Sequence, residues 1–364
     1  MKTKRNKTVK MQLVSDRPIK KVSFGIDISK DNFEVSVGLG YDYSEEPQIR
    51  NIGSFNNTGA GMGRFITHSR NLLTGLNLTP EAKIQFVMES SGVYYECLAY
   101  RLYQEGLSVH VALATKMKNY TKTLKNKSKN DKQDSLAICR YGLEKNLQDW
   151  KPMSDEMKKL KELTRELALH KDDIVAAKSI LHSQKAAYKT NPEGINRMKS
   201  KIKYLERLIK KVNEEIKATV DNNPELKEKV NMIIKNFRGV GYQTVVILLA
   251  ETDSFKQVTN SKQLVSYSGL DIMENQSGNK TGKARISKKG NSVIRRALYM
   301  PALSAIRFND RMKELYQRIC DGHTGVSKKI AIVAVMRKIL CIIYALWKNN
   351  TEYNPNYLLM PMAC

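Results

Sequence analysis

The chain has 364 residues, with 62 Lys and Arg against 36 Asp and Glu, for a formal net charge of +26. That length supports two or three domains, and so basic a surface repels itself unless an anionic partner neutralises it. No run of about 18 apolar residues reads as a membrane span. No amphipathic basic helix with aromatic anchors stands out either, so nucleic acid is favoured over a membrane surface.

In chain order, residues 1–20 read as a basic disordered arm without the apolar stretch of a secretory signal. Val22 to Ser29 (VSFGIDIS) and Phe33 to Gly38 (FEVSVG) flank a polar turn and predict a hairpin, and Gln48 to Phe55 supplies a third strand. A helix over Gly59–Leu73, a strand over Lys83–Glu89, a helix over Gly92–Glu105, a strand over Leu107–Ala114 and a helix over Asp131–Lys145 follow. Over residues 21–150 the order βββαβαβα predicts a mixed α/β sheet covered by helices, the order of the RNase H fold. Residues 151–235 lose strand signals. There Met198, Ile202, Leu205, Ile209, Val212 and Ile216 form a heptad stripe, and Asn191-Pro192 divides two helical stretches. An antiparallel hairpin or a dimerising coiled coil follows from that pattern. Residues 236–350 read as a mainly α-helical C-terminal domain with a functional loop, and 351–364 as a poorly ordered tail. The five cysteines (97, 139, 320, 341 and 364) show no zinc spacing, which fits a reduced, cytoplasmic protein.

The chemistry is carried first by acids. Asp27 lies among isoleucines in GIDIS, where a carboxylate is costly unless paired, hydrogen-bonded or metal-bound. Glu89 ends the strand FVME, and Asp131 and Asp134 share a face at the start of a helix. If the strands are neighbours, the four acids converge and repel, and hard divalent cations, Mg²⁺ or Mn²⁺, relieve that repulsion. Two such ions activate an attacking oxygen and stabilise a leaving one in phosphodiester chemistry. Seven lysines (116, 118, 122, 125, 127, 129 and 132) run into the acidic pair with Tyr120 among them, a pattern suited to tracking a nucleic-acid backbone.

The stretch 266–302 places Ser277-Gly278 among Lys280, Lys283, Arg285, Lys288, Lys289, Arg295 and Arg296. Small residues let a backbone approach and basic groups hold its phosphates. A serine there can attack a phosphodiester, although a Ser-Gly is more often a turn. No histidine lies within the stretch to activate it. FRGVG at 237–241 resembles the turn of a helix-hairpin-helix.

Taken together, GIDISKD, MESSGVY, KNDKQDSLA, FRGVG, SYSGL and SGNKTGKARISKKGNSVIRRALYMPA resemble one class of bacterial insertion-sequence transposases, over Val22 to Trp347. Members have an N-terminal RuvC-like DEDD domain, a helical middle and a C-terminal serine domain. The resemblance implies that Asp27, Glu89, Asp131 and Asp134 are the DEDD acids and bind Mg²⁺. It implies Ser277, with Ser287 as the fallback, as a nucleophile that forms a 5′-phosphoserine link. It further implies a bridge RNA that pairs with donor and target DNA. The active site would join the DEDD domain of one protomer to the serine domain of another, in a homodimer that pairs into a tetramer. The competing expectations are a RuvC-like junction nuclease without a covalent step and a non-catalytic nucleic-acid-binding protein.

Overall fold

A computed structural model describes residues 17–41, 46–90, 92–124, 130–273, 285–321 and 328–354, together with the backbone of 276–277 and 280–281. The chain forms two compact units, Met1–Pro152 and Met153–Cys364.

The first unit is built on strands β1 (Ile19–Ile28), β2 (Asn32–Gly40), β3 (Gln48–Asn56), β4 (Leu78–Glu89) and β5 (Val109–Ala112), in the order β3-β2-β1-β4-β5. β1–β2 and β2–β3 pair antiparallel, while β1–β4 and β4–β5 pair parallel. The expected hairpin and third strand are present. β1 starts inside the stretch expected to be a disordered arm, because Ile19 is fully buried and its amide bonds Asn77 O at 2.9 Å. β4 begins earlier than expected and β5 is shorter. The helices are α1 (Gly59–Thr74), α2 (Glu96–Gln104), α3 (Ala114–Thr123) and α4 (Asp131–Glu144). α2 begins later than expected, after a turn at Gly92, whose φ of +67° suits glycine.

Strand alternation gives the sheet two different faces. Val22, Phe24, Ile26 and Ile28 lie on one face, beside Leu39, Val37, Val35 and Phe33 of β2. α1 and α2 cover that face with Phe65, Ile66, Leu98 and Leu102, in one core. Phe24 stacks on Phe86 at 4.7 Å, and Phe65 meets both edge-on. The opposite face is made of small residues, Ser23, Gly25, Ser36 and Gly38, and α4 lies against it. A Cβ on Gly25 would fall 2.1 Å from Cys139 N, and one on Gly142 would fall 2.1 Å from Ser23 Oγ. Ser36 and Ser135 share a hydroxyl hydrogen bond of 2.7 Å, and Cys139 Sγ donates to Ser23 O at 3.2 Å.

The second unit is helical. α5 (Asp155–Ala186) and α6 (Pro192–Asp221) form an antiparallel hairpin, since Glu156 at the start of α5 meets Asn223 just past α6 while Lys178, late in α5, meets Glu206 midway along α6. Asn191 caps α6 and Pro192 occupies its first turn. Ile202, Leu205, Val212 and Ile216 of the heptad stripe are buried within the single chain, as the hairpin reading expects. α7 (Pro224–Asn236), α8 (Tyr242–Thr252) and α9 (Ser261–Ser268) follow, then the short strands β6 (Ile272–Met273), β7 (Gln276–Ser277), β8 (Lys280–Thr281) and β9 (Arg285–Ile286), and finally α10 (Ser292–Phe308), α11 (Asp310–Asp321) and α12 (Lys328–Asn349). One core joins the lower hairpin to these helices. α12 is long and apolar enough to cross a membrane by composition, although Arg337 and Lys338 interrupt its apolar run. Its apolar residues, among them Val335, Ile339 and Ile343, are core residues here. In FRGVG, Gly239 has φ +104°, and an added Cβ would sit 2.7 Å from Ala305 Cα, so its smallness admits α10. Part of the expected tail is packed: the Tyr353 ring lies 5.0 Å from that of Phe237.

Candidate active site

β1 and β4 run parallel with Ile26 beside Met88, so Asp27 and Glu89, one residue on, emerge on the same sheet face at the same edge. That is the face α4 covers. The helix descends it in steps: Gly142 meets Ser23, Cys139 meets Ser23 and Gly25, and Ser135 meets Gly25. One further turn of about 5.4 Å matches two strand residues of about 3.3 Å each. It carries Asp131 and Asp134 towards Asp27. Both ends of α4 are held. Asn130 accepts from Gln133 N at 2.9 Å, and Lys21 Nζ donates to Leu143 O and Lys145 O at 3.2 and 2.6 Å.

The electrostatics follow. Asp27 is pushed up to about 6, first by burial and then by the charges of Asp134, Asp131, Glu89 and Glu34. All four acids expected from the sequence therefore act on one locus, and a fifth, Glu34, joins them. Among the described residues no three His, Cys, Asp or Glu are gathered tightly enough to hold a metal ion as they stand. The two observations are compatible. Charge repulsion acts over many ångströms, whereas ligation needs oxygens within about 2.0–2.6 Å of one ion. The donors are all hard oxygens, the type that suits Mg²⁺, Mn²⁺ or Ca²⁺. An oxygen of Glu34 is buried without a hydrogen-bond partner.

Beside this edge, α3 anchors Met117 in a small core and Tyr120 on α4, where the phenol donates to Glu144 at 2.8 Å. Lys116, Lys118 and Lys122 stay exposed. Lys125, Lys127 and Lys129 lie outside the described residues. α3 is not among the helices expected from the sequence, because only two apolar anchors, Met117 and Tyr120, interrupt its lysines.

In the second unit, the backbone of Ser277 pairs with Lys280 in a tight antiparallel turn, and Ile272 and Met273 pair with Ile286 and Arg285 at its base. The side chains of 274–284, those of Ser277, Lys280 and Lys283 among them, lie outside the described residues. The root of this arm is closed by Lys288 N to Gly269 O at 3.1 Å, Ser287 N to Asp271 O at 2.9 Å and Asn291 N to Tyr267 O at 2.8 Å. Ser287 Oγ donates to the Asp271 carboxylate and accepts from Lys289 N at 3.3 Å. Arg295 donates to Ser268 O and Gly290 O at 2.8 and 3.1 Å, and Arg296 pairs with Asp172. Arg285, Lys288 and Lys289 are exposed.

Beneath the root sits Glu251, fully buried. It accepts from Arg165 at 2.7 and 2.9 Å and from Asn291 Nδ2 at 2.7 Å, and Tyr267 OH donates to its backbone oxygen at 3.0 Å. Burial alone would raise this carboxyl, but the bonds from Arg165 and Asn291 outweigh it and hold the group below the usual range. Asn291 also caps α10 through Val293 N and Ile294 N at 2.9 and 3.2 Å. This group is not among the site residues expected from the sequence. The signal available was a lone glutamate in the apolar run VVILLAE.

Comparison with known proteins extends this picture. Residues 24–189 match a family model described as transposase, of the DEDD type found in IS110 elements, and residues 231–317 match one described as transposase IS116/IS110/IS902 family. The chain is 27% identical over 277 residues to the pilin gene-inverting proteins of Moraxella bovis and Moraxella lacunata, covering 74% of this chain and 82% of each relative. It is 29% identical over 143 residues to the transposase for insertion sequence element IS1111A of Coxiella burnetii, covering 38% of this chain and 37% of that protein. A mixed α/β unit followed by a helical one, matched by these models in that order, is a transposase, an enzyme of DNA strand cleavage and transfer. The two matched stretches, 24–189 and 231–317, are those of transposases of the IS110/IS116 type.

Proposed function

We propose that the protein cuts and rejoins the DNA of an insertion sequence through a RuvC-like DEDD site (Asp27, Glu89, Asp131 and Asp134) and a serine nucleophile, Ser277, guided by a bridge RNA. The observation that carries the reading is the convergence of charge on Asp27 from Asp134, Asp131 and Glu89. The strand order β3-β2-β1-β4-β5, with its mix of antiparallel and parallel pairs, supports an RNase H-type domain. These acids would hold Mg²⁺ or Mn²⁺, which when bound supplies charge stabilisation at the phosphoryl oxygens.

The chain's own residues then have distinct tasks. The Ser277 hydroxyl attacks the phosphorus and loses its proton. The bond from phosphorus to the 3′ oxygen breaks, and that oxygen leaves as a hydroxyl once protonated. A 5′-phosphoserine remains. Attack by a second 3′ hydroxyl reverses the exchange and releases the serine, so the joined strand needs no energy cofactor. Lys116, Lys118 and Lys122 on α3, with Arg285, Lys288 and Lys289 at the arm's base, supply exposed charge for the phosphate backbone. Resident RNA and two DNA duplexes account for a formal charge of +26. A homodimer pairing into a tetramer lets one protomer's acids serve another's serine, and the reaction proceeds on cytoplasmic bacterial DNA.

The test is a protein–DNA adduct that survives denaturant. We expect it with wild type and expect Ser277→Ala to lose it while remaining folded. An adduct that persists in Ser277→Ala removes that residue from the role. Hydrolysed product with no adduct in either protein returns the enzyme to a RuvC-like junction nuclease. For guidance, RNA of one defined sequence should copurify, and random fragments stripped by salt count against it.

A further inference from the structure

Four acids, Glu34 among them, act by charge on Asp27 at the edge where β1 ends. The β1–β2 register sets Glu34 directly opposite Asp27. Directly opposite residues have Cβ atoms about 4.5–5.5 Å apart and project to the same face, here the one α4 covers. The next residues along that face are Gly25, Ser36 and Ser135, none of them cationic, and Ser36 and Ser135 bond each other. Glu34 Oε1 is buried and has no hydrogen-bond partner.

Both features cost stability. Like charges directly opposite on a sheet are destabilising, and a buried oxygen without a donor forfeits its hydration. A glutamine would remove the repulsion, and a threonine would suit the strand better. Glu34 is therefore an expensive choice for a strand residue unless something positive occupies the space it shares with Asp27.

We propose that Glu34 is a fifth carboxylate of the acidic site and helps to hold the divalent cation there. This rests on the acidic-site reading above and extends it to β2. Glu34 is a positioning residue: it deepens the negative charge around Asp27 and makes the cation the element that settles this edge.

The experiment uses the full chain, stripped of metal, with Mn²⁺ alone as the probe. Free Mn²⁺ is followed by electron paramagnetic resonance, and thermal melting is measured with and without the ion. Glu34→Gln should weaken Mn²⁺ binding by about tenfold or more. It should melt higher than wild type without metal and gain less from Mn²⁺. Glu34→Thr, a second variant with good strand propensity, should behave alike, while Glu81→Gln, at an exposed position of β4, should match wild type. Wild-type Mn²⁺ affinity in either folded Glu34 variant, while Asp27→Asn loses binding, overturns the proposal and leaves the acidic site standing. Wild-type affinity in Asp27→Asn as well overturns the acidic site and this proposal with it.

Discussion

Glu251 shows what one buried carboxylate demands. Its charge is met by a bidentate guanidinium from Arg165 and an amide from Asn291, residues 86 and 40 positions away in sequence. Because its folded pKa lies below the unfolded value, its contribution is present above the usual glutamate range near pH 4.5 and is lost as pH falls below it. Glu251→Gln keeps an acceptor for Asn291 but removes the charge. We expect it to cost about 1–2 kcal/mol at pH 7 and to converge with wild type under acid, as read by urea melts across pH. Glu251→Ala also orphans Asn291 and should cost more, about 3–5 kcal/mol. Equal losses for both variants at every pH would show that charge plays no part. The group was half legible: a glutamate among VVILLA signals a buried acid, but its partners are fixed only by tertiary packing. Glu34 was fully legible in retrospect. A tight turn between Asp27 and Glu34 pairs them across the hairpin, and alternation puts both on one face.

The elements of the first unit followed from periodicity because its strands alternate cleanly and its helices carry apolar stripes. What periodicity could not give is how closely α4 approaches the sheet, and that distance brings Asp131 and Asp134 to the β1 edge. The approach depends on Gly25, whose added Cβ would meet Cys139 N at 2.1 Å and Ser135 O at 2.4 Å, both backbone atoms that cannot rotate away. Gly25→Ala should therefore lose about 1–3 kcal/mol through overpacking. It should lose strand cleavage more completely than stability, since the helix must shift and carry both aspartates with it. Gly40→Ala is the control, because its added Cβ meets nothing closer than 3.4 Å. Thermal melting and cleavage assays on the two variants check this. Near-wild-type cleavage in a folded Gly25→Ala would mean that α4 does not set the acids' positions. α3 escaped notice for the opposite reason: its charge is loud and its anchors, Met117 and Tyr120, are few.

Across the whole chain, the net charge of +26 gave the partner class before any element was known. The structure refines which charges remain to meet that partner. Arg296 is already paired with Asp172, and the guanidinium of Arg295 is spent on the carbonyls of Ser268 and Gly290. Lys288 and Lys289 stand exposed at the root of the arm. Each phosphate neutralised releases counterions and adds about 0.9 to the slope of log affinity against log salt. Lys288→Ala with Lys289→Ala should therefore flatten the slope for duplex DNA by about 2, read by fluorescence anisotropy from roughly 50 to 300 mM salt. Arg296→Ala should leave the slope near wild type, because removing that guanidinium removes a charge Asp172 already balances. If instead Arg296→Ala flattens the slope and the lysine pair does not, the ion pair with Asp172 opens when DNA binds. The cationic surface would then have to be redrawn along α10 instead of the arm's base.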